Sequence, residues 1–221
     1  MTQQEFQCLS GKLQQLAPEI PPSWGARQNN RNDNRIAMFR INTFEELEQE
    51  IQHLSDIEKN YCRYRWFIWK CSQCDEYLFA AHPNVTPNPN TRDQAYDIEF
   101  NRDPQLRFDV KGTVIPNKFR NQIEAVLEDP TAMLRFFYDK QSTGVRSHIQ
   151  NRLFVVHYSR IDRERAIYLR CNWDLKVQVY ADYCSRIKAG ANFYHYKGVF
   201  SDVIFIVENL DKTFTWKFFA V

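Results

Sequence analysis

Glycine is scarce in this chain, with 6 in 221 residues. None belongs to a G-x-G-x-x-G or Walker-type run, so the Gly-rich cradles that hold nucleotide phosphates are excluded. Long apolar runs are missing too, and none approaches the roughly 20 residues that a membrane-spanning helix needs. The first residues, MTQQEFQCLSGKLQQL, have no basic start followed by an apolar stretch, so no secretory leader is expected. Neither sign of charge dominates: Lys+Arg 29 against Asp+Glu 27 leaves a formal net charge of +2. That balance does not advertise a polyanionic partner, although a locally basic cleft on a neutral protein still serves one. The six cysteines are too few for a secreted disulfide scaffold of this size. A reducing cytoplasm is the expected setting, with most thiols acting as small buried hydrophobes. There is no internal repeat and no low-complexity tract.

What is present is aromatic: 17 Phe, 11 Tyr and 5 Trp, within an ordinary globular balance of 43% hydrophobic and 25% charged residues. The length is ample for one core and awkward for two. Phe6, Leu9, Leu13 and Leu16 predict a short amphipathic helix over 3–16, ended by Pro18, Pro21 and Pro22. The stretch 25–35, GARQNNRNDNR, is polar and basic, and reads as a solvated loop or as an arm for nucleic acid. Ile36–Ile41 reads as a short strand. Thr43 with Glu46 is a capping box opening a helix over 43–59, with Phe44, Leu47, Ile51 and Leu54 as its apolar stripe. The aromatic run YRWFIWK predicts a strand over 64–70, Cys71-Ser-Gln-Cys74 a turn, and 77–81 a partner strand. The Pro/Asn-rich stretch 82–94 is a long loop. Helices are expected within 118–140 and over 174–188. Strands are expected over 152–158 with a hairpin partner at 166–171, and as a final hairpin of 201–207 with 213–219.

Residues 96–115, YDIEFNRDPQLRFDVKGTVI, read as two strands joined by a turn at Asp103-Pro104. On that turn, Asp97 falls opposite Asp109, and Glu99 opposite Arg107. Strand side chains alternate with period two, so Asp109, Lys111 and Thr113 share one face and Phe108, Val110 and Val114 the other. Two facing carboxylates repel unless a cation stands between them. Asp-x-Lys is nevertheless a cheap pattern, since Asp174-Leu175-Lys176 repeats it with no partner strand before it. An inert charged hairpin would also produce such pairs.

The expected element order, helix, strand, strand, strand, helix, strand over 43–158, with Asp97 followed by Asp109-Val110-Lys111, resembles the PD-(D/E)XK nuclease superfamily. That resemblance implies an α/β (α+β) fold, with a central mixed β-sheet flanked by helices. It leaves 1–42 as an N-terminal helix and polar arm. Residues 159–221 become a C-terminal extension with an extra β-hairpin, packed on the same domain. It departs from the pattern in having Tyr96, not proline, before Asp97, and Asp103 beside Pro104 is a decoy. The activity implied is metal-dependent hydrolysis of phosphodiester bonds, in double-stranded DNA, as in a restriction-type endonuclease. Mg²⁺ or Mn²⁺ would be held by Asp97, Asp109 and the Val110 carbonyl, with Lys111 serving the attacking water and Glu99 as a fourth site residue. Glu50, or Glu46 if it is not wholly used as a cap, would be the acid that helices in this superfamily sometimes add. Lys118, Arg120, Arg146, Gln150 and Arg152 are candidates for nucleic-acid contact. A homodimer would let two sites cut two strands. Zinc is not expected, because Cys71 and Cys74 have no second close pair. The rival reading is a non-catalytic α+β domain on the same fold that binds protein or nucleic acid.

Overall fold

The computed structural model describes residues 1–22, 30–90, 95–141 and 150–221, without the side chains of 34, 140 and 141. It divides into two compact units, Met1–Cys74 and Asp75–Val221. The division falls inside one helix.

The first unit is helical. α1 (Gln3–Leu16) is capped by Thr2 and Glu5, α2 (Arg31–Arg35) by Asn30 and Asp33, and α3 (Phe44–Ile51) by Thr43 and Glu46. Each cap is a reciprocal box in which two side chains satisfy two backbone N–H groups that the helix itself leaves open. Two expectations fail here. The helix expected over 43–59 stops at Ile51, and Ile36–Ile41 is not a strand, because Met38–Arg40 forms a 3-10 turn. Part of the polar arm is helical as α2, and residues 23–29 of it lie outside the described residues.

α4 (Asp56–Ala80) is the largest correction. The two strands expected at 64–70 and 77–81 are successive turns of this one helix. Cys71 and Cys74 therefore sit a turn apart on it, both buried, and not in a hairpin.

The second unit, which begins at the last turns of α4, carries a seven-stranded mixed sheet. Its strands are β1 (Val85–Pro87), β2 (Ile98–Phe100), β3 (Arg107–Val114), β4 (Arg152–Ser159), β5 (Tyr194–Tyr196), β6 (Val199–Glu208) and β7 (Phe214–Phe218). The order is β1-β2-β3-β4-β6-β5, with β7 also paired to β6. β1, β2 and β3 are antiparallel to one another, whereas β3, β4 and β6 run parallel. Parallel neighbours need crossovers, supplied by α5 (Ile123–Glu128) and α6 (Thr131–Phe136) between β3 and β4. α7 (Ala166–Arg170) and α8 (Trp173–Arg186) lie between β4 and β6. The hairpin partner expected at 166–171 is thus α7, while the helix expected at 174–188 and the final hairpin are present.

Register assigns the faces. Lys111, Phe154 and Val203 stand in line across three strands. Phe154, Val156, Val203, Phe205 and Val207 pack with Val126, Met133 and Leu134 of α5 and α6. Gly112, Val155 and Ile204 line the opposite face. There α7 and α8 pack, with Arg170 reaching the Gly112 carbonyl and Tyr183 reaching Asp202. The result is a helix–sheet–helix sandwich, the arrangement that buries both faces of the parallel β3-β4-β6 centre. The order helix, strand, strand, strand, helix, strand does occur, but displaced: α4 stands for the helix, and β1, inside the expected Pro/Asn loop, for the first strand.

Candidate active site

The β2–β3 ladder pairs Ile98 with Phe108 and Glu99 with Arg107, which brings Asp97 level with Asp109. The ladder ends there: the Asp97 N–H donates to the Phe108 carbonyl (2.9 Å), and β2 then leaves β3. Among the described residues, the β2 side of β3 consequently has no backbone partner just past Asp109. The Asp97 carboxylate fills that place, with Oδ2 accepting the Val110 N–H at 2.7 Å. In a strand the N–H and C=O of one residue face the same edge, so the Val110 carbonyl is aimed toward Asp97 as well. The Asp109 N–H goes the other way, to the Asn151 carbonyl beside β4 (3.0 Å).

Asp109 is 2% exposed. Its Oδ1 meets Lys111 Nζ at 2.5 Å, and Arg152 Nε stands 3.5 Å from its Oδ2. Burial raises the Asp97 carboxyl well above the usual carboxylate range. Lys111 opposes the shift, and Asp109 adds to it by its charge and by a hydrogen bond between the two acids. A carboxylate hydrogen-bonded to a second carboxyl group must share a proton with it or share a cation.

A third acid lies within electrostatic reach of them. Glu76, at the last turns of α4, is pushed up to about 8, first by burial, then by the charge of Asp97, with Asp75 and Asp109 adding and Lys111 opposing. Sequence reasoning missed it because it placed 71–81 in a turn and a strand. A continuous helix through 56–80 would have pointed to Asp75-Glu76 as the acids nearest the hairpin. Glu50 is exposed on α3, and Glu46 is spent on its cap, accepting from Asn42 and Thr43 N–H.

Glu99 is not brought into the cluster. Its Oε2 accepts from Arg107 Nε at 2.6 Å across the hairpin, which explains it without a ligand. Of the proposed nucleic-acid contacts, Arg152 faces Asp109 directly and stacks over the Tyr138 ring (5.2 Å). Gln150 immediately precedes β4 at the same end, and its Nε2 is buried without a hydrogen-bond partner among the described residues. Lys118 and Arg120 follow the opposite end of β3. Asp109 to Val114 alone spans about 17 Å at 3.3 Å per residue, so these two cannot serve the same phosphate as Asp109. Lys118 lies over Phe119 and Phe136 instead, and Arg120 over Tyr158. Arg146 lies outside the described residues.

The donor set suits a hard cation in part. Two carboxylates and one carbonyl converge at the β3 edge, all oxygen, which is the ligand chemistry of Mg²⁺ or Mn²⁺. Among the described residues, no three His, Cys, Asp or Glu side chains are grouped so that they could hold a metal ion, and no helix is long and apolar enough to cross a membrane. Comparison with protein-family models, curated proteins and solved structures returned no match for this chain.

Proposed function

We propose that residues 75–221 form a divalent-metal-dependent nuclease domain of the restriction-endonuclease-like kind, hydrolysing phosphodiester bonds in DNA. The observation that carries this reading is the Asp97–Asp109 carboxyl contact at an unpaired strand edge, with Lys111 on the second acid. Glu76 strengthens it, because three desolvated acids in electrostatic reach of one another call for positive charge beyond a single lysine. β2, β3, α5–α6 and β4 follow one another in the order the resemblance implies, with α4 and β1 in place of the helix expected at 43–59 and the strand expected at 64–70.

Asp97, Asp109 and the Val110 carbonyl would hold Mg²⁺ or Mn²⁺, which when bound polarises a phosphoryl oxygen and lowers the pKa of a water. Asp97 is oriented for this by the Val110 N–H, which fixes one oxygen and leaves the other to turn toward Asp109. Lys111 shares the face of Asp109, so its ammonium would stand beside the metal site, where it would orient water and stabilise charge on the phosphate. Arg152 stands on the far oxygen of Asp109, where its guanidinium can meet a phosphate oxygen.

One observation favours the rival, a non-catalytic binding domain on this fold: Asp109 already lies between Lys111 and Arg152 and is almost wholly buried. Supercoiled plasmid with Mg²⁺ or Mn²⁺ separates the two, run beside Asp109→Ala and Lys111→Ala. Under the nuclease reading the wild type nicks or linearises the plasmid, and both variants lose on the order of a hundredfold or more, as when a group stabilising the reacting charge is removed. Equal cleavage by all three would mean the activity came from elsewhere, and no cleavage by any would favour the binding domain.

A further inference from the structure

Arg152 opens β4, between Asp109 of β3 and Ser201 of β6 in register. It stands two residues before Phe154, so its side chain lies on the sheet face that α5 and α6 cover. Asp109 Oδ2 is 3.5 Å from its Nε, the Ser201 hydroxyl donates to its carbonyl at 3.0 Å, and its guanidinium lies 5.2 Å from the Tyr138 ring centre. Tyr138 comes from a π-helical turn, Phe137–Gln141, that continues α6. Its hydroxyl reaches two carbonyls, Gln150 at 3.1 Å and Phe200 at 3.2 Å, and so bridges the chain entering β4 to β6. Tyr196 stacks on the ring at 5.1 Å, and Phe154 meets it edge-on at 6.0 Å. At the same strand end, Asn151 Oδ1 accepts the Phe200 N–H at 2.8 Å while its Nδ2 donates to the Arg107 carbonyl at 3.1 Å. The start of β4 is therefore tied to β3 and β6 by side chains as well as by the ladder.

We propose that the π turn sets Tyr138 to hold the Arg152 guanidinium in the plane in which it takes a backbone phosphate of DNA. The inference rests on the nucleic-acid part of the reading above and needs no metal ion. Tyr138 touches no phosphate and is a positioning residue. A π turn is rare and recurs at functional sites. It takes up one more residue than an α-turn, which rotates the side chains it carries, and the ring so turned is the one beside Arg152. Arginine suits this arrangement. Its flat cation stacks by its face and keeps its N–H groups in the plane, where they meet phosphate oxygens as a fork, whereas a lysine ammonium has no plane to set. Lys111 already meets the other oxygen of Asp109, so neutralising that acid is a weak reason for Arg152 to be here.

The test is binding of a fluorescently labelled DNA duplex, read by anisotropy in EDTA over a salt series, with melting curves to show that each variant is folded. Each phosphate contact adds about 0.9 to the slope of log affinity against log salt. Arg152→Gln should lower the slope by about that one contact. Tyr138→Leu removes the ring and should lower it as much, with Tyr138→Met as the bulkier substitute if the leucine variant does not fold. Tyr138→Phe keeps the ring and should keep the wild-type slope. Once Arg152 is Gln, losing the ring should lower the slope no further, a coupling that a general loss of packing would not produce. A wild-type slope in Arg152→Gln or in the folded ring-less variant, or an equal drop in both backgrounds, overturns the inference and leaves the nuclease reading standing. A wild type that binds no duplex overturns both. A wild type that binds with the expected slopes but leaves plasmid uncut in Mg²⁺ removes only the nuclease reading.

Discussion

Glu76 and Asp97 have carboxyls raised by burial, and the consequence can be read against pH. An acid whose folded pKa exceeds its unfolded value binds its proton more tightly in the native state. Its contribution to stability is complete below the unfolded value and is lost as pH rises through the folded one. For Glu76 the window runs from 4.5 to about 8. Asp97 and Asp202, both raised to about 6, are mostly ionised by about pH 7, and the depressed His157 stays neutral there. Between about pH 7 and 8 the metal-free protein should therefore lose melting temperature mainly through Glu76. Glu76→Gln should flatten that segment of the curve, and saturating Mg²⁺ should raise the wild type most at its alkaline end. A wild-type slope retained in Glu76→Gln would place the titrating group elsewhere. Two acids of this cluster were legible in the sequence, because period-two alternation and a short turn suffice to bring Asp97 level with Asp109. Glu99 had the same alternation in its favour, but Arg107 opposite it takes its carboxylate. Neighbours of this kind are visible only once the strands are paired.

The helices show how far local pattern reaches. Thr43 and Glu46 are three residues apart, and their reciprocal bonds, Glu46 N–H to Thr43 Oγ1 and Thr43 N–H to Glu46 Oε2, form as expected. Thr43→Ala should lower unfolding free energy by about 1 kcal/mol, read from urea denaturation, with no effect on Mn²⁺ binding. α4 resisted the same reading. Tyr64–Lys70 holds four aromatic rings and Ile68, so a seven-residue window fits a strand. The helical stripe Phe67, Cys71, Cys74 and Leu78 emerges only over a longer window. A helix buried on a wide face loses the polar residues that would mark its period. α7 was misread for the same reason, since Ala166, Ile167, Leu169 and Arg170 are all buried in five residues.

In the second unit, the sheet sets where chemistry is possible. β3 has β4 on one side, and on the other β2 stops at Ile98, so a single edge opens beside Asp109. Stability, by contrast, resides in the parallel β3-β4-β6 centre and the helices over it. Phe205 on β6 is 1% exposed within the α5–α6 layer. Phe205→Ala should cost about 3–5 kcal/mol, seen as a lower urea midpoint, while the folded fraction keeps its Mn²⁺ affinity. A loss of affinity in the folded fraction would mean that the core reaches the site more directly than the sheet geometry implies.

The sequence alone determined what nearest neighbours can determine. It supplied the helix α1, the cap on α3, the β2–β3 register that pairs Glu99 with Arg107, the strand at β4 and the final hairpin of β6 with β7. Each depends on contacts within one element or across one short turn, where period and spacing are enough. Tertiary structure decided the rest: that α4 is one helix, that β3, β4 and β6 run parallel, and that Glu76 comes within electrostatic reach of the acids. It also joined Lys176 to Asp75 across 101 positions of chain. Such partners share no local pattern, because what selects them is burial, and burial belongs to the packed molecule.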